Sequence, residues 1–326
     1  MDYMFNNCTN LKNVRFFIGL TGFDTLNTKS MRYMFNNCTT LGDSGLLSIL
    51  INGVSDLSYM FNNCSSLLEF DLNDRLFITI EIKSDINLEY MFNNCTNLEE
   101  VRIANLRIEK ALSLSLKGIF SNCLSLTKIK FNDVYAPKIT DFSYMFQNCI
   151  SLETVDLSYF NNLFYHNSLE GIFYNCSNLI SLNLSAFDSS STTNMKMMFY
   201  NCTSLSNLNL NNFITSSAIN MNSMFANCKS LTSLDLLSFE TDSVIDMSSM
   251  FQNCESVNYL HLDHFKTNSV KRMDNMFKNC FSLISAYISN FNTKSVESMA
   301  SMFENCKSIL IINISEFDTS LVTDMS

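Results

Sequence analysis

The chain has 326 residues, of which 47% are hydrophobic and 16% charged, a composition that predicts an ordered protein and excludes the disordered class. The net charge of −10 and the pI near 4.8 argue against binding to nucleic acid or to anionic membrane surfaces, because both need basic patches. No apolar run approaches the roughly 18 residues that a membrane span needs. The strongest apolar run, residues 309–312, is predicted to be a buried strand.

One short motif, Phe-x-Asn-Cys, recurs from the first residues to the last. It occurs twelve times and includes each of the chain's twelve cysteines. Self-similarity at a fixed period is the signature of a solenoid, in which each unit buries its apolar face against its neighbours. The sequence therefore predicts one solenoid over residues 1–326, built from about twelve units of about 26 residues.

A single unit divides into two predicted elements. Met247, Met250, Phe251 and Cys254 lie at i, i+3, i+4 and i+7, which is one face of an α-helix. Asn253, near the end of this predicted helix, is a residue type that tolerates the left-handed conformation of a helix terminus. A Leu-x-x-Leu-x-Leu motif follows, and its last two leucines predict a short strand with one buried face. The predicted fold class is an α/β repeat solenoid, leucine-rich-repeat-like, with a parallel strand ladder on one face and short helices on the other.

The first and last residues both lie inside the repeat. Met1, Met4, Phe5 and Cys8 already occupy the predicted helical positions, so no leader is expected, and residues 322–326 stop where another Met-Phe would follow. Neither end shows the polar capping unit that a solenoid needs for solubility. We expect the chain to be a window of a longer array, or copies of it to stack end to end.

The cysteine spacing divides the array into two parts. Residues 1–122 form irregular, longer repeats, with spacings of up to 31 residues, whereas residues 123–326 form regular repeats with spacings of 26 or 27 residues. The extra residues lie around 42–55, 73–87 and 107–116, where we expect loops on one side of the solenoid. Such loops often carry binding, and they also tolerate surface variation.

One set of residues carries a resemblance to a known family. These residues are Met247, Met250, Phe251 and Cys254, with Leu231, Leu234, Asp235, Leu236, Ser238, Phe239 and Thr241 of the neighbouring unit, and residues 317–325. The repeat resembles the 26-residue repeat of bacterial surface proteins, a branch of the BspA-like leucine-rich repeats, over essentially the whole chain. The resemblance implies display at a cell surface or in the extracellular space, although this chain shows neither an export signal nor an anchor, and a cytoplasmic location is the alternative. It also implies adhesion and binding of a host protein.

The cysteines and the asparagines before them each have two interpretations. One cysteine per unit, always at the same buried position, favours free thiols over disulfides, because parallel side chains point the same way. No metal site is expected, since no CxxC or His-rich cluster accompanies them. Six of the twelve asparagines stand in a glycosylation sequon, as do Asn183 and Asn313, but a structural role at the turn explains all twelve.

The candidate binding surface is the exposed row of the predicted strands. Its middle part is rich in amides and its later part holds aromatic residues, which are good contact residues at interfaces. A solvated strand face would show a similar composition. The candidate binding residues are Asp156, Asn183, Asn209, Asp235, Tyr259, His261 and Tyr287.

No catalytic chemistry is indicated. His261 and His264 lie close together with Asp263, but they are expected to be a surface pair at a strand end, because no other ligand and no nucleophile converge on them. We therefore expect no enzyme and no cofactor. The predicted function is binding of a protein or glycan partner through the strand face. The alternatives are end-to-end assembly into a fibre or surface layer, and an intracellular interaction scaffold.

Overall fold

The computed structural model describes residues 1–14, 27–42, 49–50, 53–71, 76–77, 85–104, 113–132, 138–160 and 167–326. In this part of the chain the Phe-x-Asn-Cys segments lie one above another as successive turns of a solenoid. The backbone N–H of Phe251 donates to the carbonyl of Met276 in the next turn, at 2.9 Å, and Asn253 donates to Lys278 at 2.8 Å. Between them, Gln252 donates within its own turn, to Ser249 at 3.1 Å. Alternate N–H groups therefore bond to the next turn and to their own, so the buried backbone is satisfied.

The predicted helices are wrong, since no helix occurs in the described residues. Met247, Met250, Phe251 and Cys254 are fully buried, as their spacing predicts. The backbone that carries them is a pair of tight turns, because Ser249 and Asn253 both have φ of 58°. Left-handed residues four positions apart cannot belong to a right-handed helix. The apolar spacing identified the buried side chains correctly, but the N–H groups bond to the adjacent turn instead of forming a helix.

Every motif has these two left-handed positions. The first is occupied by a variety of residues, including tyrosine, serine and, in two turns, glycine, at Gly118 and Gly171. The second is always the asparagine before the cysteine, and its predicted left-handed conformation is confirmed at all twelve sites. These are Asn7, Asn37, Asn63, Asn94, Asn122, Asn148, Asn175, Asn201, Asn227, Asn253, Asn279 and Asn305.

The described strands are short, and every pair of them is parallel. Their bounds are β1 Ile49–Leu50, β2 Glu69–Asp71, β3 Leu76–Phe77, β4 Ile86–Asn87, β5 Glu100–Ala104, β6 Leu114–Ser115, β7 Lys128–Asn132, β8 Ile139–Asp141, β9 Thr154–Asp156, β10 Ser181–Asn183, β11 Tyr259–His261 and β12 Ser285–Tyr287. One ladder comprises β2, β5 and β7, a second β4, β6 and β8, and the remaining pairs are β1 with β3, β9 with β10, and β11 with β12. The predicted parallel pairing is thus confirmed where strands occur.

The core consists of columns of equivalent side chains, one from each turn. Phenylalanine rings of successive motifs, from Phe5 to Phe303, stack with centroids 5.2 to 5.9 Å apart. Columns of methionine, cysteine and leucine run beside them, and most of these side chains are fully buried. Each ring therefore contributes its hydrophobic area to two neighbouring turns at once.

Two further predictions need correction. Residues 309–312 are not a buried strand, because Leu310 is 80% exposed and Ile311 76% exposed in a turn that packs against a neighbouring turn on one side only. The count of twelve complete units is not supported either, since the described residues run without a gap only from 167 to 326. Most of the extra residues around 42–55, 73–87 and 107–116 lie outside the described part. Within the described residues, no helix is long and apolar enough to cross a membrane.

Candidate functional site

The candidate surface is the exposed side of the strands β9 to β12, which do not belong to the separate ladder of β4, β6 and β8. In β9 the side chain of Val155 is buried, whereas Thr154 and Asp156 on either side of it are exposed. The parallel register then places equivalent side chains next to each other, Asp156 beside Asn183 and His261 beside Tyr287. We call this surface the strand face. Five of the seven candidates lie in β9 to β12. Asn209 and Asp235 occupy the equivalent position in turns without an assigned strand, and we include them in the strand face; all seven are exposed.

Four of the seven candidates also have a structural role. The Oδ1 atom of Asp156 accepts a hydrogen bond from the N–H of Ser158, two residues later, at 2.9 Å. Asn183, Asn209 and Asp235 make the same bond to the residue two positions on, at 3.0 to 3.1 Å. A side-chain oxygen that closes such a turn explains why the repeat carries Asp or Asn here. These four residues are therefore weaker evidence for a binding site than the sequence suggests.

His261 and Tyr287 occupy the equivalent exposed position in their turns but do not make this turn-closing hydrogen bond. Neither has a short side-chain oxygen that could close the turn. Their rings stack instead, with centroids 4.5 Å apart and an angle of 5° between the planes. Tyr287 is 43% exposed, and Tyr259, beside His261 in the same strand, is 47% exposed. The predicted aromatic patch therefore exists, and the turn geometry of the repeat does not require it.

The candidates divide between two depressions in the strand face. The first has a volume of about 440 Å³, and its lining includes Asp156, Asn183 and Asn209. The second, of about 680 Å³, is lined by Asp235, Tyr259 and His261. Tyr287 does not line the second depression but lies against His261, which does. The structure thus groups the candidates by chain order and does not bring all seven into one site.

Leu237 and Asp263 also line the second depression, although neither is among the seven candidate binding residues. Leu237 is 70% exposed. The equivalent place in earlier turns holds Ser158, Ser185 and Asn211. A comparison of the units at this position could have identified both residues, because each departs from a small, uncharged polar side chain.

His264 does not form a site with His261. Its Nε2 atom lies 2.9 Å from the carbonyl oxygen of Leu236 in the preceding turn, and Ser238 makes the equivalent bond to Leu210 from the same place in its turn. His264 is half-buried while His261 is exposed, so only one of the expected surface pair is fully at the surface. No group of three potential metal ligands lies together in the part of the chain that the structure describes.

The charged side chains at the equivalent positions of β5 and β7 are paired with one another. Glu100 accepts a hydrogen bond from Nε of Arg102 at 2.9 Å and from Nζ of Lys130 at 3.1 Å. The Arg102 guanidinium, followed by Lys130, holds the pKa of Glu100 below its ordinary value. Charges that neutralise each other in this way leave less attraction for a partner.

The cysteines and the asparagines of the motif are used inside the fold. All twelve cysteines are free, as expected, and ten of them are buried. The Nδ2 group of Asn253 donates to Oδ1 of Asn227 at 2.6 Å, and other motif asparagines continue this ladder. In five of the six Asn-Cys-Ser/Thr sequons the amide nitrogen is engaged in this way, which supports the structural interpretation over glycosylation. The five are Asn37, Asn63, Asn94, Asn175 and Asn201.

Comparison with known proteins gives one family match. The model of a family described as a mycoplasma protein of unknown function, DUF285, matches residues 1–129, 76–169, 114–232, 167–280 and 246–326. The matches overlap and together span the chain, which confirms the prediction of a repeat family. No curated protein matches the chain.

Two crystal structures are among the similar ones. One is a leucine-rich repeat protein from Bacteroides ovatus, 18% identical, with a TM-score of 0.49, 94% of this chain and 73% of that chain being covered. The other is a leucine rich cell surface protein from Faecalibacterium prausnitzii, also 18% identical, with a TM-score of 0.37 and coverage of 99% and 78%.

Proposed function

Because this chain belongs to the DUF285 family of mycoplasma proteins and presents an open strand face, we propose that it is a non-catalytic repeat scaffold that binds a protein partner through that face. A stacked solenoid supports this role physically. Each turn is held by its neighbours through backbone bonds and ring stacking, so the exposed row is fixed before a partner arrives. A preorganised surface loses less conformational entropy on binding.

One observation carries the proposal. Most turns of the regular part place Asp or Asn in the exposed row, where the side chain closes its own turn, as at Asp235. His261 and Tyr287 do not make that hydrogen bond, and their stacked aromatic rings are exposed instead. Exposed aromatic rings on a rigid surface are the side chains most often found at the centre of protein interfaces.

The test is a comparison of two tyrosine variants in binding. The chain is immobilised, and bound proteins from mycoplasma and host-cell surface extracts are identified by mass spectrometry. Each is then purified and its Kd measured. We expect Tyr259→Ala with Tyr287→Ala to weaken binding at least about tenfold, since loss of an aromatic anchor costs 2 kcal/mol or more. Tyr159→Ala is the control, because Tyr159 is 45% exposed but lies in the turn after β9. A partner that binds all three forms equally would disprove the role of the strand face.

We further propose that the protein is displayed at a cell surface, acts in adhesion and can bind a glycan partner. The resemblance to BspA-like repeats supports these proposals. A glycan array probed with the wild-type chain and the double tyrosine variant tests the glycan partner, and surface proteolysis of intact cells tests display. Self-association of this chain through its end turns is a further prediction, to be tested by light scattering as a function of concentration.

A further inference from the structure

The second depression combines two carboxylates with apolar surface, on the strand face to which we assign partner binding. Asp235 and Asp263 line it together with Leu237, Tyr259 and His261. Neither lysine nor arginine is among its described lining residues. The first depression differs, since Asp156 is its only carboxylate and it has no exposed aromatic side chain.

The two carboxylates have no basic partner within the described residues. Some acidic side chains elsewhere in this part of the chain are paired, for example Glu255 with Lys229 at 2.8 Å and Glu100 with Arg102 at 2.9 Å, whereas others, such as Glu240, are not. Asp235 uses Oδ1 to close its own turn, through the N–H of Leu237 at 3.1 Å. In the part of the chain that the structure describes, no ion pair involves Asp235 or Asp263.

The apolar side chains around the two carboxylates can contact the aliphatic stem of a lysine or arginine side chain. Leu237 is 70% exposed and Tyr259 47% exposed, and both offer surface to an aliphatic stem. The face of a tyrosine ring also attracts a cation. The stack of His261 on Tyr287 fixes one wall of the depression.

We infer that this depression takes an arginine or lysine side chain of a protein partner, a statement that rests on the proposed function. The stem lies on Leu237 and Tyr259, and the charged group bonds to Asp235 and Asp263. Arginine is preferred to lysine, because its planar group carries five donors and can bond two carboxylates at once.

The test uses small probes and NMR. The 15N-labelled chain is titrated with N-acetyl-arginine methylamide, and with the matching lysine and glutamate compounds. We expect the amide signals of Leu237, Tyr259 and Asp263 to shift with the arginine compound, less with lysine and not with glutamate. Shifts spread evenly over the acidic surface, or an equal response to glutamate, would overturn the inference.

A charge-removing pair of substitutions, in which both carboxylates are lost, tests whether their charge holds the arginine compound. Asp235→Asn keeps the turn, because asparagine closes the same turn at Asn183 and Asn209. Asp263→Ser introduces the residue found at Ser185 in the equivalent place. Together they are expected to weaken binding of the arginine compound about tenfold, in line with the loss of charge-assisted bonds. Glu240→Gln with Glu316→Gln removes two charges from exposed residues that line neither depression, and this pair is expected to leave the affinity unchanged.

The failures of the two proposals are distinguishable. A partner lost by the double tyrosine variant but retained by Asp235→Asn with Asp263→Ser would overturn the inference and leave the proposed function standing. A partner insensitive to both pairs of changes would overturn the proposed function. Wild-type affinity of the charge-removing pair for the arginine compound would overturn the inference by itself.

Discussion

The thiol of Cys254 donates a hydrogen bond to the carbonyl oxygen of Phe225 in the preceding turn, with Sγ and O 3.2 Å apart. The same oxygen also accepts the N–H of Cys228 in its own turn, at 3.1 Å. Cysteine is thus used as a small apolar side chain that can also donate. The contact recurs for Cys38, Cys64, Cys95, Cys123, Cys149, Cys176, Cys202, Cys228, Cys280 and Cys306.

We expect Cys254→Ala to lower the free energy of unfolding by about 2 kcal/mol, because it leaves a small cavity and removes the thiol donor. Urea denaturation measures this. Cys306→Ala is the matched variant, with a smaller expected loss, since Cys306 is only half-buried. An equal or larger loss at Cys306 would contradict the explanation from burial.

Stability should fall at alkaline pH. Burial raises the pKa of the Cys38 thiol to about 11 and that of Cys306 to about 11. The pKa of these thiols in the folded protein exceeds the unfolded value of about 8.5. The unfolded state therefore loses its thiol protons first, so the free energy of unfolding is unaffected below that pH and falls as the pH rises toward 11. Thermal melts between pH 7 and 11 measure the loss. The fall should be shallower in Cys254→Ala, which lacks one thiol; an identical slope would show that other groups cause it.

Asn253→Ala tests the left-handed turn. Asn253 has φ of 58°, its Nδ2 atom donates to Asn227 and its Oδ1 atom accepts from Asn279. Alanine loses both side-chain hydrogen bonds and adds backbone strain, so we expect a loss of about 2 kcal/mol in the free energy of unfolding. Asn253→Gly loses the same hydrogen bonds without the strain, because glycine adopts positive φ freely, so it should lower the melting temperature less than alanine does. If glycine proved as damaging as alanine, strain would not be the cause.

Gly118→Ala tests the close approach of an aromatic ring. Gly118 has φ of +57°, and an added Cβ would lie 2.2 Å from Cε1 of Tyr90. The ring must then leave its stack on Tyr59, 5.1 Å away, so strain and lost stacking together should cost about 2 to 3 kcal/mol.

The control for this position is Gly42→Ala. The added Cβ would meet only the carbonyl oxygen of Ser66 at 3.5 Å, so a change within about 0.5 kcal/mol is expected. In a background of Tyr90→Ala, the further cost of Gly118→Ala should shrink to the backbone strain alone. A cost that stays the same in that background would exclude the ring as its source.

The candidate site was predictable only in part. Tyr259, His261 and Tyr287 were found because a parallel ladder places every second side chain of a strand on the same face. Leu237 and Asp263 were not among the candidates because they follow the last apolar residue of the leucine motif, where the predicted strand ends, although both are exposed. The turn-closing role of Asp156 and Asn183 was missed as well, since it depends on the position of an N–H group two residues later.

The sequence by itself determined the solenoid, the buried columns and the left-handed asparagines, because a residue that recurs once per unit must occupy the same environment in every turn. Only the tertiary structure decided the backbone between Met247 and Cys254. A spacing of i, i+3, i+4 and i+7 fits a helix and also a pair of tight turns. Here the N–H groups of alternate residues find carbonyl partners in the adjacent turn, and that partner lies 25 residues away in the sequence, as Phe251 and Met276 show. Hydrophobic spacing within one unit carries no information about a bond between units.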